Sequence, residues 1–228
     1  MRICFLFFGP QQEALAQVMI ASVRKEMPNA IVTQLTDSVT KKVKGVDELR
    51  RINGTLYGYL LLKHMAECPL PFIRVDYDMI FQGDITNILG GEYDMAFNLH
   101  GDDRVLHMPF GKQFPLATSI WGANTHHFAR DMRSVHTKNA RDDWMDLIIS
   151  ANETAKDYRI NVLDGQIYNY CPKDRDDKPE SALVLHYKGL RKRWMLPVED
   201  EHLAVPDERR VDQRVRTFKN QDMFALEH

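Results

Sequence analysis

Two aspartates in the stretch PFIRVDYDMIFQGDI, residues 71–85, are the side chains best suited to chemistry. Asp76 and Asp78 stand two positions apart, after an apolar run that includes Phe72 and Val75. In an extended chain such side chains point to the same side, and a buried charge there needs a positive partner. Two carboxylates on one side suit Mg²⁺ or Mn²⁺. A solvated strand end is the alternative.

A second group of such residues lies in HYKGLRKRW, residues 186–194, which also follows an apolar run. His186 offers an imidazole ligand, which favours Mn²⁺ over Mg²⁺ in a mixed oxygen and nitrogen site. Gly189 lets the backbone approach a ligand closely, and Lys192 supplies a point charge suited to phosphate. The alternative is a structural histidine before a solvated basic turn. Together with the aspartate pair, these residues are the parts needed to hold a metal-bound diphosphate.

These two groups together resemble the family-8 glycosyltransferases. The sequence of residues 186–194 is similar to that family's HxxGxxKPW signature, with Arg193 in place of proline. These enzymes also have a DxD motif that closes an early-middle strand, as the aspartate pair does here. The stretch LDGQIYNY resembles the family's DQDxLN helix through Asp164 and Asn169. The resemblance extends over nearly the whole chain, with the motifs in the family's order.

The resemblance implies a GT-A fold and the retaining transfer of a sugar from a nucleotide diphosphate sugar, usually a UDP-sugar. It implies Mn²⁺ as cofactor, with Mg²⁺ as the alternative, and assigns the metal to Asp76, Asp78 and His186. It assigns the diphosphate to Gly189 and Lys192. As the leaving group departs, negative charge develops on the β-phosphate, where the metal and Lys192 would stabilise it.

The helix motif departs from the family's pattern. Gly165 stands where the family has glutamine, and Gln166 stands where a second aspartate is usual. The resemblance implies that Asp164 faces the sugar, so Asp164 and Gln166 are the catalytic candidates. Whether Gln166 replaces the family's front-face group is left open, and so is the identity of the donor sugar.

Candidate nucleotide-binding residues lie at the ends of other elements. Phe8 and Gly9 follow the first apolar run, and ligands of α/β sheets sit outside the carboxyl ends of strands. Asp37 ends the second strand and could accept a hydrogen bond from the base, and Tyr77 lies between the two aspartates. Plain turn roles are equally compatible. Weaker candidates, with surface or core roles as the alternative, are Arg51, Tyr57, Ser119, Trp121 and Asn124.

The elements that must position these residues alternate between strand and helix. This alternation predicts an α/β fold, with a mostly parallel central sheet flanked by helices on both faces. We expect one domain over residues 1–225, which the family resemblance implies to be GT-A-like. We expect strands at RICFLFF, AIVTQLTD, PFIRVDYDMIF, YDMAFNLH, LATSIWG and ALVLHYKG. We expect helices over residues 11–27, 46–68, 124–132, 142–151 and 164–170, a short helix capped by Asp84, and a loop over 101–115. The helix over 46–68 could be broken near Asn53 and Gly54.

Composition places few demands on partners. A net charge of −2 with 44% apolar residues is ordinary for a soluble globular protein and requires no nucleic acid. Three widely spaced cysteines argue against a disulfide scaffold or a zinc knuckle and for a reducing compartment. No run approaches the roughly 20 apolar residues of a membrane helix, so we expect a cytoplasmic protein. Residues 226–228 resemble an expression-tag remnant.

The charged tail, DERRVDQRVRTFKNQDMF, leaves the acceptor open. It could form a solvated helix that packs on its own domain, a peripheral contact with the inner membrane face, or a basic face for DNA phosphates, as in a phage enzyme. A mixed run of this kind most commonly forms the solvated helix, and its mixed charges make the membrane contact a weaker alternative than the DNA contact. We expect an acceptor glycan or glycolipid rather than a modified DNA base, and the oligomeric state is open.

Two rival functions remain. A metal-dependent nucleotidyltransferase would need a glycine-rich, basic phosphate loop after the first strand, and FFGPQQEA has one glycine and no lysine or arginine. A nucleotide-sugar-binding protein without turnover is indicated only by Gly165 and Gln166.

Overall fold

Strands and helices alternate in the first half of the computed structural model, which describes residues 1–9, 12–51, 57–101, 109–136 and 144–204. The strands are β1 (Arg2–Leu6), β2 (Ile31–Thr36), β3 (Glu48–Arg51), β4 (Phe72–Val75), β5 (Met79–Phe81), β6 (Met95–Leu99), β7 (Leu116–Ala123), β8 (Ile160–Leu163) and β9 (Val184–His186). The α-helices are α1 (Glu13–Glu26), α2 (Tyr57–Glu67), α3 (Pro109–Gln113), α4 (His127–His136), α5 (Trp144–Thr154) and α6 (Gly165–Tyr168). Short 3₁₀ helices cover Thr86–Leu89, Ala155–Asp157, Gly189–Met195 and Val198–Ala204.

The central sheet has seven strands in the order β3-β2-β1-β4-β7-β6-β8. Four neighbouring pairs are parallel, and only β7 runs antiparallel to its neighbours β4 and β6. Helix α1 packs on one face of this sheet, and α2, α4 and α5 pack on the other. The predicted α/β class, with a mostly parallel sheet between helices, is therefore confirmed.

The stretch 71–85 is divided between two sheets, which corrects the expectation of one continuous strand. β4 lies in the central sheet, whereas β5 leaves it and pairs antiparallel with β9, with Met79 opposite His186. The turn between β4 and β5 carries the aspartate pair, and the amide of Tyr187 donates to the carbonyl of Asp78 at 2.9 Å. This second sheet brings together the two groups of residues that lie far apart in sequence.

The expected helix over residues 46–68 is wrong in its first part. Residues Glu48–Arg51 form β3, which extends the open edge of β2 in parallel register, and an ion pair joins Arg2 to Glu48. This pairing overrides a local pattern that is compatible with a helix. Strand β8 was not predicted; it is an edge strand on which Val162 is 53% exposed, so its apolar run is short. Helix α3 lies within the expected loop.

The predictions for residues 207–224 lie outside the described residues, so the single-domain extent to residue 225 and the role of the tail stay predictions. None of the described helices is long and apolar enough to cross a membrane. The three cysteines are buried and form no disulfide.

Candidate functional site

Three side chains with metal-ligand chemistry meet where the β4–β5 turn faces the end of β9. Nε2 of His186 lies 3.2 Å from Oδ1 of Asp78 and 3.6 Å from Oδ2 of Asp76. One ligand atom from each of the three lies within 4.8 Å of the other two. Among the described residues, no other set of three or more histidines, cysteines and carboxylates lies this close together.

The protonation state of His186 suits a cation at this point. Its Nδ1 lies 2.8 Å from Oδ1 of Asn169, and an amide oxygen can only accept a hydrogen bond, so Nδ1 carries the proton. Burial lowers the pKa of His186 despite the nearby Asp78, and so favours the neutral imidazole. The lone pair on Nε2 therefore faces two carboxylates, an arrangement that fits a divalent metal ion. The sequence matched Asn169 to a motif but gave it no role.

Each aspartate has a cationic neighbour. Nη2 of Arg74 lies 2.5 Å from Oδ1 of Asp76, and Nζ of Lys192 lies 3.0 Å from Oδ2 of Asp78. Burial alone would raise the pKa of Asp78, but its polar neighbours, with the charged Lys192 at 3.0 Å among them, lower it well below its usual range, so Asp78 stays ionised. The sequence predicted a positive partner but did not single out Arg74. The available signal was a lone basic residue inside an apolar strand, two positions before Asp76.

Lys192 is placed to meet an anion. Burial alone would lower the pKa of Lys192, but Asp78 and Tyr77 raise it well above its usual value, so the ammonium stays charged. It donates to the hydroxyl of Tyr77 at 3.1 Å and lies 4.8 Å from the centroid of that ring. Gly189 has a φ of +58° and open space where a Cβ would stand. A ligand could therefore approach the backbone there, close to Lys192 in sequence.

The nucleotide candidates at the ends of β1 and β2 are linked to each other. Phe8 is 37% exposed, and the amide of Gly9, whose φ is +75°, donates to Oγ1 of Thr40 at 2.7 Å. Oδ1 of Asp37 accepts from the amides of Val39 and Thr40 at 3.0 and 2.6 Å. Asp37 therefore has the turn-forming role that the sequence left as one alternative, while Phe8 keeps an exposed ring at this end of the sheet.

The two catalytic candidates lie where β8 enters α6. Oδ1 of Asp164 accepts from the amide of Gln166 at 2.8 Å, and Nε2 of Gln166 donates to the carbonyl of Gly101 at 3.2 Å. A Cβ on Gly165 would stand 2.5 Å from the carbonyl oxygen of His100. The backbones approach so closely that the family's glutamine side chain has no room at position 165, which is a physical reason for the departure seen in the sequence.

Most of the weaker candidates have structural contacts. Arg51 donates to the carbonyls of residues 37 and 40, and Asn124 donates to those of residues 89 and 93. Trp121 is 1% exposed and stacks on Phe97 with ring centroids 5.6 Å apart, so its core alternative holds. The side chain of Tyr57 lies outside the described residues.

The fold is shared with solved glycosyltransferase structures. The galactosyltransferase LgtC, in complex with donor and acceptor sugar analogues, matches with a TM-score of 0.60 at 13% identity, over 92% of this chain and 99% of that chain. The apo form of the glycosyltransferase GlyE from Streptococcus pneumoniae TIGR4 matches with a TM-score of 0.60 at 14% identity, over 90% of this chain and 60% of that chain.

An active-site mutant of LgtC matches with a TM-score of 0.59 at 14% identity. No protein-family model matches the sequence, and no curated protein matches it. At this level of identity the likeness establishes the fold alone, and it confirms the GT-A-like fold expected from the motifs.

Proposed function

We propose that this chain is a retaining, Mn²⁺-dependent glycosyltransferase that moves a hexose or similar sugar from a UDP-sugar to an acceptor hydroxyl. One observation carries this function: Asp76, Asp78 and His186 converge with ligand atoms within 4.8 Å of one another, beside the cationic Lys192. The location supports it, because the two aspartates follow the carboxyl end of β4 in the central sheet of a fold that is similar to those of LgtC and GlyE.

Each residue of the cluster has a role toward the diphosphate. The two aspartates and His186 would hold the metal ion, which when bound supplies Lewis-acid stabilisation of the phosphate oxygens. Lys192 would donate to the same oxygens and compensate the charge that develops on the β-phosphate. Gly189 would let the backbone lie against the diphosphate. Arg74 keeps Asp76 oriented toward His186 through the other carboxylate oxygen.

The remaining candidates would bind the nucleoside and the sugar. Phe8 and Gly9 would lie along the nucleoside. Tyr77, whose hydroxyl accepts a hydrogen bond from Lys192, would also contact the nucleotide. Asp37 would support this part of the site indirectly, because it holds the turn whose Thr40 side chain accepts a hydrogen bond from Gly9. Asp164 and Gln166 would face the sugar, and attack by the acceptor on the face from which the nucleotide leaves would retain the anomeric configuration.

A sugar hydroxyl is the acceptor we favour, in a glycan or a glycolipid. The support is that LgtC, which shares the fold, has been captured with an acceptor sugar analogue. Transfer to a modified DNA base is the alternative.

The test is release of UDP from a panel of UDP-sugars with Mn²⁺, with and without EDTA. We expect release from at least one donor, its loss with EDTA, and a fall of about 100-fold or more in Asp78→Asn, since the metal contributes several kcal/mol to such reactions. Asp176→Asn, an equivalent change at an exposed aspartate, is the control. Release that is insensitive to EDTA, or full activity of Asp78→Asn, would contradict the proposed function.

The same assay separates the rival functions. Calorimetric binding of UDP and Mn²⁺ without release of UDP from any donor would identify a binding protein, which the missing side chain at Gly165 favours. Formation of a UDP-sugar from UTP and a sugar 1-phosphate would identify a nucleotidyltransferase.

A further inference from the structure

Four buried polar side chains form a continuous line of hydrogen bonds from β6 to β9. They are Asn98, Ser119, Asn169 and His186, and their exposures are 0%, 6%, 0% and 4%. Because water has so little access, the bonds among them determine which atoms carry protons. The line ends at Nε2 of His186, the atom that faces the two aspartates.

A backbone carbonyl fixes the orientation of the Asn169 amide. Nδ2 of Asn169 donates to the carbonyl of Leu99 at 3.1 Å. A carbonyl oxygen can only accept, so the nitrogen of the amide must be at this end and the oxygen must face His186, at 2.8 Å from Nδ1. The amide oxygen in turn can only accept, so in the neutral imidazole the proton lies on Nδ1 and the lone pair on Nε2.

A backbone amide fixes the same direction from the other end of the line. The amide of Ile120 donates to Oδ1 of Asn98 at 2.8 Å, so Nδ2 of Asn98 faces Oγ of Ser119 at 3.1 Å. Ser119 accepts this bond and has its own proton to donate to Oδ1 of Asn169 at 3.1 Å. The alternative donation, back to Oδ1 of Asn98, is longer at 3.4 Å. Both ends therefore require Asn169 to present an acceptor to His186.

We propose that Asn169 is a positioning residue, which holds His186 as the Nδ1–H tautomer so that Nε2 is permanently available as a metal ligand. Ser119 and Asn98 orient Asn169 in this role. This positioning role rests on the proposed function, because it takes His186 as a metal ligand. It adds the reason why this histidine would bind the metal through Nε2. The partner of the second ring nitrogen commonly sets the tautomer of a ligating histidine.

The test needs no turnover. The ring nitrogens of His186 are observed by long-range ¹H–¹⁵N correlation in the full-length, EDTA-treated protein, at about pH 8, above the ordinary pKa of histidine. The His186→Gln variant identifies the signals. Mn²⁺ affinity is measured separately by electron paramagnetic resonance. The variants are Asn169→Leu, which removes the acceptor, and Asn169→Asp, which keeps it.

We expect the parent and Asn169→Asp to hold the Nδ1–H tautomer. In Asn169→Leu we expect a shift toward Nε2–H and a loss of Mn²⁺ affinity of about 10- to 100-fold, the usual effect of removing such a partner. An Nε2–H tautomer in the parent overturns the role without any variant, so a failure of Asn169→Leu to fold leaves it testable. Unchanged tautomer and Mn²⁺ affinity in a folded Asn169→Leu overturn it as well.

Failure of the proposed function would look different. A parent with the Nδ1–H tautomer that binds no Mn²⁺ would overturn the metal site while the hydrogen-bonding role of Asn169 stands. A parent that binds Mn²⁺ and releases UDP with His186 as Nε2–H would overturn only the positioning role.

Discussion

Two corners of the candidate site are built in opposite ways. The cation corner lies between the β4–β5 turn and β9, and consists of Asp76, Asp78, His186 and Lys192. It is held by charged side chains, with ion pairs of 2.5 Å to Asp76 and 3.0 Å to Asp78. The α6 corner lies between the end of β6 and α6, and consists of Gly101, Asp164, Gly165 and Gln166. It is held by backbone packed on backbone.

The difference separates two kinds of sequence requirement. In the cation corner a residue is required for the charge or lone pair that it provides. In the α6 corner two residues are required because they have no side chain: a Cβ on Gly101 would stand 1.6 Å from the carbonyl oxygen of Asn169, and one on Gly165 would stand 2.5 Å from that of His100. Asn169 belongs to both, since its backbone contacts Gly101 and its side chain holds His186. The corners are therefore coupled through one residue.

The largest effect is expected where backbone packing is tightest. Gly101→Ala forces the backbone of Asn169 to move, and we expect a loss of about 3 kcal/mol or more in the free energy of unfolding, measured with urea. Gly189→Ala is the matched control. It adds the same methyl group where nothing lies within 4 Å and the only strain is a φ of +58°, at a cost of about 1 kcal/mol. Equal losses in the two variants would mean that the α6 corner is not built on backbone contact.

A smaller effect is expected from removing the cation next to Asp78. Lys192→Met should weaken UDP binding by about 10- to 100-fold, the equivalent of one hydrogen bond to a charged group. Mn²⁺ affinity should not fall, because the ammonium at 3.0 Å no longer competes for Oδ2 of Asp78. Calorimetry with each ligand measures both. Arg193→Met, at the exposed neighbouring residue, is the control. If the affinities for UDP and Mn²⁺ fell together, Lys192 would have a structural role in the cation corner rather than a role in binding the diphosphate.

Much of the cation corner could be predicted from sequence, because a charged residue at the end of a buried apolar run costs free energy unless a partner compensates its charge. That cost together with the resemblance to the family-8 motifs predicts that Asp76, Asp78 and His186 hold one metal ion, and the structure brings their ligand atoms within 4.8 Å of one another. Arg74 and Asn169 were missed as site residues. Their roles depend on which atoms face them from distant elements, and spacing along the chain contains no such information.

The fold class was also predictable, from apolar runs that alternate with helical patterns. The pairings were not. β5 reads as a continuation of β4 until its partner β9 is known, and β3 reads as helix until it is placed against β2. Both depend on contacts between residues far apart in sequence, which local propensity does not encode.

The smallest effect is expected from the side chain whose role is least determined by the sequence. Gln166→Ala removes the neutral hydrogen bond of 3.2 Å to the carbonyl of Gly101, which is worth about 1 kcal/mol of stability. If the side chain faces the sugar as proposed, turnover should fall by about tenfold, or about 1.4 kcal/mol in the barrier. Mn²⁺ and UDP affinities should stay as in the parent, because the cation corner provides them.

Gln113→Ala, the same change at an exposed glutamine of α3, is the control for general effects. We compare kcat and the affinities for Mn²⁺ and UDP in each variant. A role confined to the α6 corner lowers kcat and leaves both affinities unchanged. If Gln166→Ala weakened Mn²⁺ binding as much as turnover, we would infer that its effect reaches His186 through Asn169, whose backbone contacts both Gly101 and Gly165. The α6 corner would then act as part of the metal site, and Asp164, which caps the same helix, would be expected to do so too.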